Sequence, residues 1–369
     1  MSDPRSFSTL WSRLVFSTDR WIIRDIVVNL VLYMPLGVAA YGMLRNHLSA
    51  RVAAPLAIAI GAVLSSAVEI LQLWTPSRAS SIRDILTNTA GTGIGVGFGH
   101  AALGFLGSQN RNNRRADSAA ATLLIAMVAW LFVPFLPIRG TTALAKKFAA
   151  FLDPAMTDLV PVASMAVIWL AAGHMIRAVL PRRAVAIQIA ATALIPGQIL
   201  ISGRQPALLD LIGAWAGCAL FAGGAGPRVC AAMLVAMLLV LGLMPGRSTH
   251  HPAGFSWIPF IGFVQQDWFA ALRVLMDKIV YDGTSIWMLR RSGLRSIVAT
   301  MSIAVLLGAI EAAQLWIPGR SPGTTDPVLA MLLGFVLMSH YRPTRGGMDG
   351  IANVTSGGKQ RRSSTVWLV

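Results

Sequence analysis

Charge is scarce in this chain: Lys, Arg, Asp and Glu make up 12% of its 369 residues, whereas 55% are hydrophobic. A soluble domain carries about 25% charged residues, so a water-soluble globular fold is excluded by composition. Glutamate is scarcer still, with Glu69 and Glu311 alone. Cysteine is confined to Cys218 and Cys230, in or beside apolar stretches and without His or a second Cys at metal-ligand spacing, so no metal site, cofactor or redox compartment is read from them. Met1 to Asp25 carries Arg5, Arg13, Arg20 and Arg24 and no long apolar core, so a cleavable signal peptide is not expected. The formal charge of +16 comes from 31 basic residues spread as small clusters between apolar stretches. With no basic domain, a nucleic-acid partner is not expected, and a lipid bilayer explains the clusters.

What is present is a succession of apolar spans, at about 26–44, 53–74, 85–106, 119–137, 159–179, 184–202, 207–223, 229–245, 294–316 and 325–341, with a weaker one near 277–291. A helix needs about 20 apolar residues to cross about 30 Å of hydrocarbon. The expected fold is therefore an all-α, polytopic membrane bundle of ten or eleven helices. Alternate joints hold compact basic groups: Arg45 and Arg51; Arg111, Arg114 and Arg115; Arg177, Arg182 and Arg183; Arg290, Arg291 and Arg295. These are expected on the cytoplasmic side. With eleven spans the basic tail, Arg342, Arg345, Lys359, Arg361 and Arg362, joins them, and the amino terminus and the joints described next lie outside.

The strongest signal is a repeat of Gln, five residues, Arg, five residues, Asp. Copy one has Gln72, Arg78 and Asp84; copy two has Gln198, Arg204 and Asp210; copy three has Gln314, Arg320 and Asp326. With 9 Gln, 27 Arg and 13 Asp in the chain, chance gives roughly 0.02 such matches, so three point to internal duplication. Both glutamates stand three residues before a motif Gln, and copy two has Ile195 there. Upstream of each motif runs a short apolar stripe flanked by charge: Phe7, Leu10, Trp11 and Leu14; Leu144, Phe148 and Phe151; Trp268, Leu272, Leu275 and Ile279. Each is expected to form a helix lying in the membrane interface. The second and third follow a span that ends near a Pro-Phe turn, Val133-Pro134-Phe135 and Pro259-Phe260, and the first has no such span, so a leading helix upstream of Met1 is expected. The units divide at 1–110, 111–226 and 227–341, with a flexible tail at 342–369.

Glu69 and Gln72 share one helix face, Pro76 ends that helix, and Asp84 opens the next with Asn88 one turn on. Four polar side chains can therefore converge between two helices, and ionisable groups in a span must be paired or wet. Two readings stay open. In one, a structural clamp, Arg78 neutralises Glu69 or Asp84 while Asp84 caps its helix. In the other, an outer polar pocket binds a lipid head group, a lipid-linked sugar or an anionic antibiotic through Arg78. A hydrolase or proton relay built on Glu69 has no evident nucleophile, and no catalytic residue is assigned. Gly91, Gly95 and Gly99 are spaced as a helix-packing face and follow no strand, so they are not a phosphate loop. His250 and His251 lack metal-ligand neighbours. Trp74 and Trp316 suit interfacial anchoring.

The run Asp25-Ile-Val-Val-Asn29 to Met34-Pro35-Leu36-Gly37, then Glu69-Ile-Leu-Gln72, then Asp84-Ile-Leu-Thr-Asn88-Thr-Ala-Gly91, strongly resembles the VanZ-like family of bacterial membrane proteins over about residues 25–100. Copy three lacks the Asn, with Ala330 in its place, and copy two lacks both Glu and Asn, with Ala214. The resemblance implies a protein of the bacterial cytoplasmic membrane, in a family with members linked to glycopeptide (teicoplanin) resistance. The function expected is non-enzymatic: recognition or organisation of an amphipathic envelope component such as a lipid-linked precursor or a glycopeptide, first of all by copy one. A transporter and a purely structural scaffold are the alternatives. Oligomeric state is not readable.

Overall fold

The computed structural model describes residues 20–45, 47–72, 81–109, 117–153, 159–245, 254–262 and 268–339. Arg78, the Gln72 side chain, the first interfacial stripe, Trp74, the histidine pair, Arg111 to Arg115 and the tail lie outside that description. Among the described residues there is no strand, and helices follow one another along the chain. Taken in the units expected from the sequence, unit one holds α1 (Arg20–Arg45), α2 (Ala50–Gln72) and α3 (Ile82–Gln109). Unit two holds α4 (Ser118–Phe132), α5 (Thr141–Leu152), α6 (Leu159–Val179), α7 (Ala184–Ala191), α8 (Leu194–Gly197) with a 3-10 turn at Gln198–Leu200, and α9 (Leu208–Ala222). Unit three holds α10 (Pro227–Leu243), α11 (Trp268–Arg291), α12 (Ser296–Gln314) and α13 (Thr325–Ser339).

The chain is thus an all-helical bundle suited to a membrane. Three helices, Ala50–Ile70 within α2, Leu159–Val179 and Ser296–Gln314, are long and apolar enough to cross a bilayer unaided. The pair Pro181–Ala191 and Leu194–Leu200 is apolar enough when taken together but is bent by 43°, as in a broken span or a re-entrant loop. The 184–202 span is therefore broken, with Pro196 in its second piece, where a proline removes a backbone donor. Shorter apolar helices α4, α9, α10 and α13 lie at the expected spans 119–137, 207–223, 229–245 and 325–341.

Two expectations change. The span drawn to residue 137 stops at Phe132, because Pro134 cannot continue the helix and Phe135 turns into the left-handed region at φ 60°. Phe260, also directly after a proline, adopts the same left-handed backbone at φ 65°. The third stripe, Trp268 to Ile279, is no separate interfacial helix: it is the first half of the continuous 24-residue α11. Polar residues that made 277–291 look too poor to span are paired in the interior, with the Trp130 indole N–H on Asp277 and Lys278 on Asp326. The second stripe does form its own helix, α5, with Phe151 buried and Lys147 donating to the Ile201 carbonyl.

In each unit the long helix (α1, α6 or α11), the motif helix and the Asp-bearing helix pack on one another. Units two and three share one core, containing Trp169, Phe221, Leu234, Trp287 and Ile303, whereas unit one has a smaller one around Tyr41, Ala53, Ala57 and Val96. The leading helix α4 is tied to α11 at both ends by reciprocal indole–carboxylate bonds. The Trp130 indole reaches Asp277, and that of Trp287 reaches Asp117 at 3.2 Å, the residue that also caps α4 through Ala120 N at 3.1 Å. Such a pattern fixes α4 and α11 antiparallel.

Unit one depends on close backbone approach instead. A Cβ at Gly91 would stand 2.3 Å from the Leu30 carbonyl oxygen and one at Gly95 2.0 Å from that of Met34, both on α1, whereas at Gly97 it would meet nothing within 4 Å. Apolar helices in lipid associate by such small-residue contacts. Gly95→Leu should therefore lower the thermal stability of the detergent-purified protein by about 1–3 kcal/mol, the usual range for overpacking. Gly97→Leu, on the open face, should leave it unchanged within about 0.5 kcal/mol.

Candidate functional site

The motif builds a joint between helices, clearest in unit three. Glu311 and Gln314 lie one turn apart on α12, which ends at Gln314. The buried Glu311 Oε2 accepts from Gly323 N at 2.7 Å, and Gln314 Nε2 donates to the Gly242 carbonyl at 2.9 Å. Arg320 donates from Nε to the Met244 carbonyl at 2.9 Å and from Nη2 to that of Leu241 at 2.5 Å. These carbonyls belong to the last turn of the leading helix α10, where helical acceptors have no intrahelical partner. Asp326 pairs with Lys278 of α11.

Unit two repeats the clamp. Arg204, itself buried, donates from Nε to the Val133 carbonyl at 2.8 Å and from Nη2 to that of Trp130. The two acceptors are three residues apart at the end of the leading helix, as Leu241 and Met244 are. Burial, and next the Arg273 charge, pulls the Arg204 guanidinium down to about 10, against the opposing pull of Asp277 and Asp210. Lys147, which also reaches this joint, is pulled down by burial. Ile195 takes the glutamate's position and is fully buried. The N–H three residues before the motif Asp, held by glutamate in units one and three, is here held by the Asp itself: Ala207 N donates to Asp210 Oδ2 at 2.9 Å. Gln198 is buried, and its Nε2 has no hydrogen-bond partner.

In unit one, Glu69 Oε2 accepts from Ser81 N at 2.8 Å, the same 12-residue step as Glu311 to Gly323. Asp84 Oδ1 accepts from Asn29 Nδ2 of α1 at 3.0 Å. Asn88 Nδ2 donates to Ser65 Oγ at 2.8 Å, and Thr92 Oγ1 to the Asn88 carbonyl at 3.0 Å. Tyr33 hydrogen-bonds Ser65 and faces Glu69 and Asp84. Three helices thus bring Asn29, Tyr33, Ser65, Glu69, Asp84 and Asn88 together. In that cluster the buried Asn88 Oδ1 has no hydrogen-bond partner.

Glu69, Asp84 and Asn88 come together between helices, whereas in unit three Glu311 and Asp326 lie together and Gln314 and Arg320 turn instead to the end of α10. The arginine's role differs from the clamp drawn from the sequence: in units two and three it meets helix-end carbonyls rather than a carboxylate. In unit three the acid is met by Lys278. Sequence reasoning missed the residues that the long helices contribute, Asn29 and Tyr33 on α1 and Lys278 and Asp282 on α11. Each pair is spaced i, i+4 and so shares one helix face, a signal present in the sequence. Among the described residues no group of three His, Cys, Asp or Glu is arranged to hold a metal ion, and Cys218 and Cys230 are free and buried.

Fold and site together define a polytopic helical membrane protein with repeated polar helix joints. The VanZ/LLP1 family model matches residues 3–103, so the amino-terminal part of the chain is similar to that family. No curated protein and no solved structure matches.

Charge-assisted bonds of this kind are worth about 1.5–3 kcal/mol each. Arg204→Ala and Arg320→Ala should each lower stability in detergent by at least that much, and Arg→Lys at either site should recover less than half, since an ammonium cannot bridge both carbonyls as a planar fork does. Asp210→Ala should cost about 1 kcal/mol through the lost cap. Chemical denaturation followed by tryptophan fluorescence reads all three.

Proposed function

We propose that unit one is a recognition site for the hydroxyl- or amine-bearing head group of an amphipathic envelope component, with a lipid-linked sugar as the leading class. The single observation that carries this reading is the buried, unpartnered Asn88 Oδ1 within a six-residue polar cluster. A buried acceptor left unpaired costs about 1–3 kcal/mol, and a ligand donor would relieve it. The unpartnered atom is an acceptor, so the cluster suits sugar hydroxyls and amines better than the anion first read from Arg78. Guanidiniums of the other units are turned to carbonyls, which supports a scaffold role for the Gln-Arg-Asp skeleton and leaves recognition to unit one. The VanZ-like match to residues 3–103 supports the same unit. In this reading the protein sits in the bacterial cytoplasmic membrane with its motif joints outward and its basic tail inside, and its effect on glycopeptide susceptibility follows from engagement of an envelope precursor.

Binding of a labelled lipid-linked sugar to the full chain in lipid nanodiscs tests this. Asn88→Ala and Glu69→Gln should each weaken binding about tenfold, equivalent to about 1.4 kcal/mol, at normal protein abundance. Wild-type affinity in both variants would sink the proposal. Loss of abundance in both would favour the scaffold, and movement of the label across sealed vesicles would favour a transporter.

A further inference from the structure

Unit three carries a second polar cluster of different chemistry. Where α1 presents neutral Asn29 and Tyr33, α11 presents Lys278 and Asp282, again i, i+4. Asp326 on α13 pairs with Lys278, and the Glu311 carboxylate on α12 lies beside that of Asp326. Asp282, one turn deeper on α11, interacts with Lys278 and Asp326, is 2% exposed, and its Oδ2 has no hydrogen-bond partner. Three carboxyl groups against one ammonium would leave a charge of −2 (1 − 3) if all were ionised, in a medium where one unpaired charge already costs several kcal/mol. Access is graded: the Lys278 and Asp326 side chains are 25% and 15% exposed, whereas Glu311 is 7% exposed.

We infer that this α11–α12–α13 cluster is a proton-binding site open at Asp326, with one proton taken up by the Glu311 carboxylate and Asp282 Oδ2 as a further acceptor. The step forms an O–H bond at a carboxylate and takes the proton from water at the Lys278–Asp326 mouth; release is the reverse, with no redox partner. The charged groups facing Glu311 are Asp326 and Lys278, and those facing Asp282 are Lys278 and Asp326. Asp277, on the adjoining face of α11, is turned to Trp130, Arg273, Arg204 and Lys278. Unit one has Asn29 and Tyr33 in place of Lys278 and Asp282, and unit two has Ile195 in place of the glutamate, so the third carboxyl group is particular to unit three. This inference uses other helices and another ligand than the recognition site of unit one and stands without it.

Infrared difference spectra of the full-length protein in nanodiscs, stepped from about pH 5 to about pH 9, read the site directly. The wild type should show a protonated-carboxyl C=O band that is lost as pH rises. Glu311→Gln, isosteric and still able to donate to Asp326, should remove one component, and Asp282→Asn another. Lys278→Met, which removes the cation favouring ionisation, should move the midpoint of the remaining titration up by about one pH unit. Absence of any such band in the wild type, or its survival at full amplitude in both carboxyl variants, would overturn the proposal.

Discussion

An apolar medium leaves no water to satisfy the polar backbone groups that every helix end exposes, and the arrangement of this molecule turns on how those groups are met. In units two and three an arginine placed six residues after the motif glutamine takes two carbonyls from the last turn of the leading helix. The donor lies beyond the end of the motif helix, so one guanidinium holds three segments together: the leading helix, the motif loop and the helix that follows. Helix packing alone would leave those carbonyls unpaired at a cost of several kcal/mol each. The bonds explain why the arginine persists in unit two, where the glutamate is gone.

The nitrogen side of the same joint is solved in two ways. Units one and three reach across with a glutamate to the N–H three residues before the motif aspartate. Unit two buries Ile195 instead, and its aspartate turns back to cap its own helix. Freed from capping, the aspartates of units one and three are available to the long helix, where Asn29 meets one and Lys278 the other. One exchange of capping partner therefore determines which units can assemble a polar cluster across three helices and which cannot. From this follows the division of labour proposed above, with a neutral-lined cluster in unit one, a charged one in unit three, and a structural joint in unit two.

Much of this was legible in the chain. The Gln-Arg-Asp intervals located the joints of units two and three, the glycine spacing on α3 located its packing face, and most spans fell within a few residues of the helices. Continuity of α11 was not legible, because Asp277, Lys278 and Asp282 read as too polar for the interior until their partners Trp130 and Asp326 were in view. The breaks at Phe132 and within 184–200 were written in Pro134 and Pro196, but a hydropathy window averages over single prolines.

By itself the sequence determined the all-helical membrane class, the Gln-Arg-Asp spacing and the VanZ-like resemblance of the amino-terminal part, because each depends on composition or on spacing along the chain. Which groups pair was decided by tertiary structure. Arg204 finds its carbonyls 71 and 74 residues upstream, Gln314 donates across 72 residues, and Lys278 meets Asp326 across 48. Periodicity says which face of a helix a side chain occupies, but only the packing of separate helices brings two faces together. In this protein the polar chemistry lies between helices rather than along them.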